Sequence, residues 1–203
     1  GTLDTRFKGT AAAGNVRALF QGKGKLIRLG VIALAAIYLL SQALVIIDAG
    51  TVGVVKRLGA VKGEMAPGLH LIIPVVDKVV NLPTVKKTYE ASEIPGESKA
   101  DYPDIIISAL TSDGQQIRVG ITVRFMIAPG KAAWIVQNLG KEEEYVEKVV
   151  KTEIRGSGRR VPTKFAAYDL YTKRSYEAQQ AIFDEIAPKF TENGLILDEL
   201  VLR

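Results

Sequence analysis

Leu29-Gly-Val-Ile-Ala-Leu-Ala-Ala-Ile-Tyr-Leu-Leu-Ser-Gln-Ala-Leu-Val-Ile-Ile47 runs nineteen residues without one Asp, Glu, Lys or Arg. As a helix rising ~1.5 Å per residue it would extend ~28 Å, close to the ~30 Å hydrocarbon thickness of a bilayer. Ser41 and Gln42, its polar side chains, are tolerable in a helix whose own backbone is satisfied. The reading is a transmembrane helix over residues 29–47, with Leu29, Val31, Leu34, Ile37, Tyr38, Leu40, Leu44 and Ile47 as residues of the span. A buried helix of a soluble domain would carry a polar stripe, and none is present. A cleaved leader is opposed by the 28 residues ahead of the segment and by the apolar run continuing through Leu44 to Ile47. A re-entrant hairpin needs a central break, but Gly30 lies at the edge and there is no Pro.

The flanks set the orientation. Lys23, Lys25 and Arg28 stand close before the segment, whereas Asp48 follows it and the next bases are Lys56 and Arg57. Basic residues stay on the cytoplasmic side, so the N-terminus is expected in the cytoplasm and everything beyond Asp48 on the far side. The basic tail, residues 1–28, could rest on anionic headgroups at ~1 kcal/mol per base. A solvated, poorly ordered tail rich in Gly9, Gly14, Gly22 and Gly24 is the other reading.

Composition excludes several chemistries. The chain of 203 residues has no cysteine and one histidine, His70. Disulfides, thiolate nucleophiles and multi-histidine metal sites are therefore absent from it. No cofactor, metal site, catalytic residue or nucleic-acid partner is expected. Gly156-Ser157-Gly158 is not a nucleophile elbow, and Gln21-Gly-Lys-Gly-Lys25 lacks the spacing of a phosphate loop. His70 reads as a satisfied structural side chain.

After the span, residues 48–92 read as a membrane-proximal β-rich half. Thr51 to Leu58 is strand-like, residues 59–63 a turn, and Met65 to Val76 a Pro-Gly turn followed by an apolar run. Val79 to Leu82 and Val85 to Tyr89 are further strands, and Glu93 to Pro103 a loop. Residues 93–203 read as an α+β half. Ile105 to Thr111 pairs with Gln116 to Ile127 across Asp113-Gly114, a strong hairpin signal. Ile117, Val119, Ile121, Val123 and Phe125 alternate onto one buried face. Helices are expected over Lys131 to Leu139, over Glu142 to Arg155 with a stop at Gly156-Ser157-Gly158, and from an N-cap at Thr172, with Pro188 bending or ending the last. Leu195 to Leu202 is a final strand. The fold class is α+β, short antiparallel strands packed with helices behind one N-terminal membrane helix.

Four elements in this order carry a resemblance. The span leads into Asp48-Ala-Gly50 and Val52-Gly-Val-Val55. Pro67-Gly-Leu-His-Leu-Ile-Ile-Pro74 resembles a G-x-H-x-x-x-P element, Thr111-Ser-Asp113 a T-x-D turn, and Asn193-Gly-Leu-Ile-Leu-Asp-Glu-Leu200 a domain end. Together they resemble the stomatin/prohibitin/flotillin (SPFH, band 7) superfamily, most of all prohibitins and bacterial prohibitin-like regulators of the FtsH protease. The resemblance implies no enzyme. It implies a scaffold that self-assembles with copies of itself or a paralogous SPFH subunit into a ring or cage, organises a membrane microdomain, and modulates an FtsH-type AAA protease. A lipid-organising scaffold without a protease partner is the alternative, and an accessory subunit of a membrane hydrolase a more distant one. A bacterial plasma membrane is favoured over a mitochondrial inner membrane. Leu69, Leu71, Ile72 and Ile73 are candidates for a membrane-interface loop. Glu142, Glu143, Glu144, Arg155, Arg159 and Arg160 are candidates for contacts between copies.

Overall fold

The computed structural model describes residues 12–172 and 174–203. Residues 1–11 of the predicted tail lie outside the described part. By contacts the chain falls into two units: residues up to Val45 with Leu71–Pro74, and Ile46–His70 with Val75–Arg203.

The first unit is built on α1 (Ala12–Ala43). Helix is continuous from Ala12 through Arg28, where a loose tail was expected. It also ends earlier than the predicted span. Leu44–Ile47 is a strand, β1, because the run Val45-Ile46-Ile47 is β-branched and favours extended backbone. The helical part of the 29–47 segment thus covers 29–43, ~22 Å at 1.5 Å per residue. Among the described residues no helix is long and apolar enough to cross a membrane. The Ile72 N–H donates to the Ala43 C=O at 2.8 Å, satisfying one of the orphan carbonyls at the helix end.

The second unit opens with a three-stranded sheet. In it β2 (Thr51–Arg57) lies between β3 (Ala60–Met65) and β5 (Asp77–Pro83), with both pairings antiparallel. The expected turn over residues 59–63 is shorter than predicted. Leu58-Gly59 makes the turn and Ala60 already begins β3. A short strand, β4 (Gly68–Leu71), follows Pro67. It ends at Leu71, three residues short of Pro74, where the sequence reading closes the apolar run.

A four-stranded sheet forms the centre of this unit. Its order is β11 (Leu195–Leu202), β10 (Ile121–Ile127), β6 (Lys87–Ser92), β7 (Tyr102–Ile105). The β6–β7 pair is parallel, a departure from the all-antiparallel expectation. β7 and the 3-10 turn Pro95–Glu97 lie where a loop was predicted. β6 sits inside this sheet, between β10 and β7. The predicted long hairpin strand is broken at Gly120. β8 (Ile107–Leu110) pairs with β9 (Gln116–Val119) across a turn where Gly114 holds φ +76°, a conformation that costs glycine nothing. The chain then leaves for the other sheet as β10.

Helices cover the sheet. α2 (Ala132–Asn138) receives a cap from the Glu64 carboxylate, which accepts the Ala133 N–H at 2.7 Å. α3 (Glu142–Tyr145), a π-helical turn (Val146–Lys151) and α4 (Thr152–Arg160) form one continuous helix. Gly156-Ser157-Gly158 does not stop it. A Cβ on Gly158 would come within 2.9 Å of both Ile107 Cδ1 and Ile121 Cδ1, so the glycine is where α4 lies down on the strands. A 3-10 turn (Val161–Lys164) leads to α5 (Ala167–Tyr171) and then α6 (Ser175–Glu192). Thr172 closes α5, its hydroxyl donating to the Tyr168 C=O at 2.7 Å, and does not open α6. Pro188 does not end α6: it lies inside the helix, on its exposed side.

The alternation along β10 fills the core. Ile121, Val123, Phe125 and Ile127 are buried, as is Val119 on β9, while Ile117 is half-buried. α6 contributes Ala178, Ile182, Ile186 and Phe190 at four-residue spacing. Phe125 meets Phe190 edge to face at 6.1 Å between ring centroids. Each such side chain contributes about 1.5–3 kcal/mol on burial.

Candidate interaction surfaces

The first candidate surface belongs to α1. Leu29, Ile32, Leu34, Ile37 and Leu40 are each 64–70% exposed. At 3.6 residues per turn these positions, with Val31, Tyr38 and Leu39, encircle the helix. A helix of a water-exposed surface is apolar on one stripe only; this one is apolar all round and uncovered. The Ser41 hydroxyl is satisfied within the helix, Oγ donating to the Tyr38 C=O at 2.7 Å.

The candidate interface loop is largely uncovered as well. Leu69, Leu71 and Ile73 are exposed and Ile72 is half-buried. Within it His70 donates from Nε2 to the Ala66 C=O at 2.7 Å. That is a local structural bond, as the sequence reading holds.

The six candidates for contacts between copies are divided by the structure. Arg155 reaches inward, Nη1 donating to Asp104 Oδ2 at 3.0 Å and to the Ile105 C=O at 3.2 Å. Arg160 clamps Glu185, which also accepts from the buried Ser157 hydroxyl at 2.9 Å. Ser157 is thereby sealed in the core. Glu142 accepts the Tyr102 hydroxyl, and Glu144 pairs with Lys148 one turn on at 3.1 Å. Glu143 and Arg159 are exposed, and neither side chain has an ion pair or hydrogen bond among the described residues. Arg159 borders a hollow with Leu110, Gln116 and Thr163.

Sequence reasoning missed the network that holds Arg155. Tyr89, fully buried on β6, donates to Asp104 Oδ2 at 2.8 Å. Asp104 Oδ1 accepts the Ile105 N–H at 2.8 Å. Burial opposes the charge on Asp104, yet the Tyr89 hydroxyl, the Ile105 N–H and Arg155 together hold its carboxyl below the usual range. Burial, then the adjacent Asp104, push the Tyr89 phenol well up. The partners lie 15 and 51 residues apart, so no local pattern announces them.

The Thr111-Ser-Asp113 turn has a visible reason. The Thr111 hydroxyl donates to Asp113 and accepts the Gln115 N–H at 3.1 Å, and Asp113 Oδ1 accepts the Ala167 N–H at 3.3 Å. The turn is pinned to α5, and its Asp113 carboxyl is lowered first by the Thr111 bond.

The model of one protein family, the SPFH domain / Band 7 family, matches residues 45–203. No curated protein matches the chain.

Proposed function

Because this chain belongs to the SPFH domain / Band 7 family, whose members are in general membrane-associated, non-enzymatic scaffolds, we propose that it is a membrane-anchored ring-forming scaffold. In this reading the apolar segment 29–47, the end of α1 together with the residues that follow it, anchors the chain across the bilayer, with the N-terminus in the cytoplasm and the SPFH domain on the far side. Copies assemble into a ring or cage that organises a microdomain and modulates an FtsH-type AAA protease. The bacterial plasma membrane is the favoured location.

The observation that carries the reading is the uncovered apolar circumference of α1 from Leu29 to Leu40. Hydrocarbon is the solvent in which such a helix leaves no apolar surface exposed to water. The helix alone supplies ~22 Å from residue 29. Leu44 and Ile46 of β1 are exposed and suit headgroup depth, whereas Ile47, expected in the span, is buried at 2% exposure against Gly53 and does not face lipid. The exposed Leu71 and Ile73, in the same unit as α1, suit a membrane interface.

Anchors that orient every copy alike also raise their effective concentration in two dimensions. A head-to-tail contact repeated about an axis then closes a ring. Glu143 and Arg159 are the two of the six candidate residues whose side chains have no partner among the described residues, so they are the charges left for a neighbouring copy.

The test is extraction and co-purification. Alkaline carbonate should leave the chain in the membrane pellet, and gentle detergent should release a large assembly that carries an AAA protease. Swapping the charges singly (E143R or R159E) should weaken the assembly, and the double swap should restore it. Release by carbonate removes the anchor from the account, and assemblies of lipid and scaffold alone remove the protease.

A further inference from the structure

Two apolar side chains stand uncovered where β2 ends and β5 begins. Leu58 is 85% and Val75 87% exposed. Both hold positive φ, 49° and 75°, a strained region for a leucine and more so for a β-branched valine. The fold fixes them there. The Leu58 N–H donates to the Val76 C=O at 3.1 Å. Arg57 grips Asp77 with two bonds of 2.7 and 2.9 Å, locking the two strand ends together.

One ladder position further on, Lys56 stands directly opposite Lys78. Such pairs share a face with Cβ atoms ~5 Å apart, and like charges there repel. Neither ammonium forms an ion pair among the described residues. The register slip after Val55 leaves Lys62 as an extra, exposed residue on the neighbouring strand. Lys56, Leu58, Gly59, Val75, Val76 and Lys78 bound a single hollow.

Backbone strain, bare apolar surface and unneutralised charge thus meet at one spot. Strain at such positions persists where the surroundings over-determine it, and it clusters at ligand contacts. A soluble anion would answer only the lysines, and an apolar peptide only Leu58 and Val75. A phospholipid with an anionic headgroup answers both, its charge on the ammonium groups and its acyl boundary on the leucine and valine. Lysine stems lie along apolar surface while the charge stays at headgroup level. We propose that Lys56, Lys78, Leu58 and Val75 form a binding site for an anionic phospholipid headgroup at the bilayer surface. It rests on the membrane reading above and adds a lipid preference to it.

A chain without cysteine allows a direct test. Single-cysteine variants L58C and V75C of the full chain carry an environment-sensitive fluorophore. They are reconstituted in vesicles of phosphatidylcholine alone, or with one third phosphatidylglycerol, each with headgroup-proximal spin-labelled lipid. Labelled I37C reports the anchor, and labelled L110C a surface position. Two bases near an anionic surface should favour lipid contact by about tenfold or more. The probes at 58 and 75 should therefore be shielded and quenched mainly in the anionic vesicles, and lose that increment in the K56E/K78E and K56Q/K78Q backgrounds. Probes at 58 and 75 that behave like the one at 110, or ignore vesicle charge, or respond to inorganic phosphate without vesicles, overturn the site. Loss of shielding at position 37 counts against the anchor, whereas loss at 58 and 75 with 37 still shielded counts against this site alone.

Discussion

Replacing Tyr89 by Phe should cost about 1.5–2 kcal/mol of stability. The ring is fully buried and stays so, which leaves the hydroxyl bond to Asp104 at 2.8 Å as the change. A hydrogen bond to a charged group contributes about 1.5–3 kcal/mol. Asp104 keeps the Ile105 N–H at 2.8 Å and Arg155 at 3.0 Å, so its charge is not stranded and the lower end of that range applies. Trp134, the single tryptophan, is 40% exposed and reports urea unfolding of the detergent-solubilised chain. The midpoint should fall while the slope m is unchanged. The pH dependence gives a second readout. Asp104 has a folded pKa below its ordinary value of 3.8. Its stabilisation is therefore full above the unfolded pKa and drains away as pH falls through the folded one. Losing the Tyr89 bond moves the folded value back towards the unfolded one, so the variant should show the weaker acid dependence. A loss below about 0.5 kcal/mol, the scale of an ordinary surface change, would show that the network does not bind β6, β7 and α4 as argued.

Further outcomes follow from single contacts. Gly158→Ala should lower the melting temperature although alanine favours helices, because its methyl meets Ile107 and Ile121 at 2.9 Å and overpacking costs about 1–3 kcal/mol; adding I107V should return part of the loss. Pro188→Ala should raise the urea midpoint by up to about 3 kcal/mol equivalent, since it restores a backbone donor inside α6. Lys78→Glu should also raise the midpoint by replacing a like-charged cross-strand pair with an opposite one, while weakening lipid contact in the vesicle assay. Deleting residues 1–47 should give a soluble domain that assembles poorly; intact rings from that deletion, seen by single-particle imaging, would refute the role given to the anchor.

Period and punctuation made much of the domain legible. The alternation from Val119 to Phe125, the Asp113-Gly114 turn and the four-residue spacing of Ala178, Ile182, Ile186 and Phe190 are local signals, and the fold obeys them. Where the reading failed, a distant contact decided. Gly156 and Gly158 look like a helix stop until Ile107 and Ile121 are known to lie beneath Gly158. Gly120 looks like one more residue of a strand until its two sides are seen to join different sheets. β7 is invisible because Pro103 and the acids around it gain strand geometry only by pairing with β6. The apolar helix was legible, but its end was not: the switch to strand at Leu44 follows from the β-branched run after Ala43. The contact candidates were chosen for charge alone, and charge cannot tell Arg159, whose side chain has no partner among the described residues, from Arg155, which is satisfied 51 residues away.

Gly120 has a mechanical meaning. Its N–H donates to the Arg203 C=O at 3.0 Å and its C=O accepts the Arg203 N–H at 2.8 Å, so the joint between the two sheets is bolted to the end of β11. A force arriving at the β8–β9 hairpin finds no swivel there. It passes to β10 along the chain and to β11 through these two bonds.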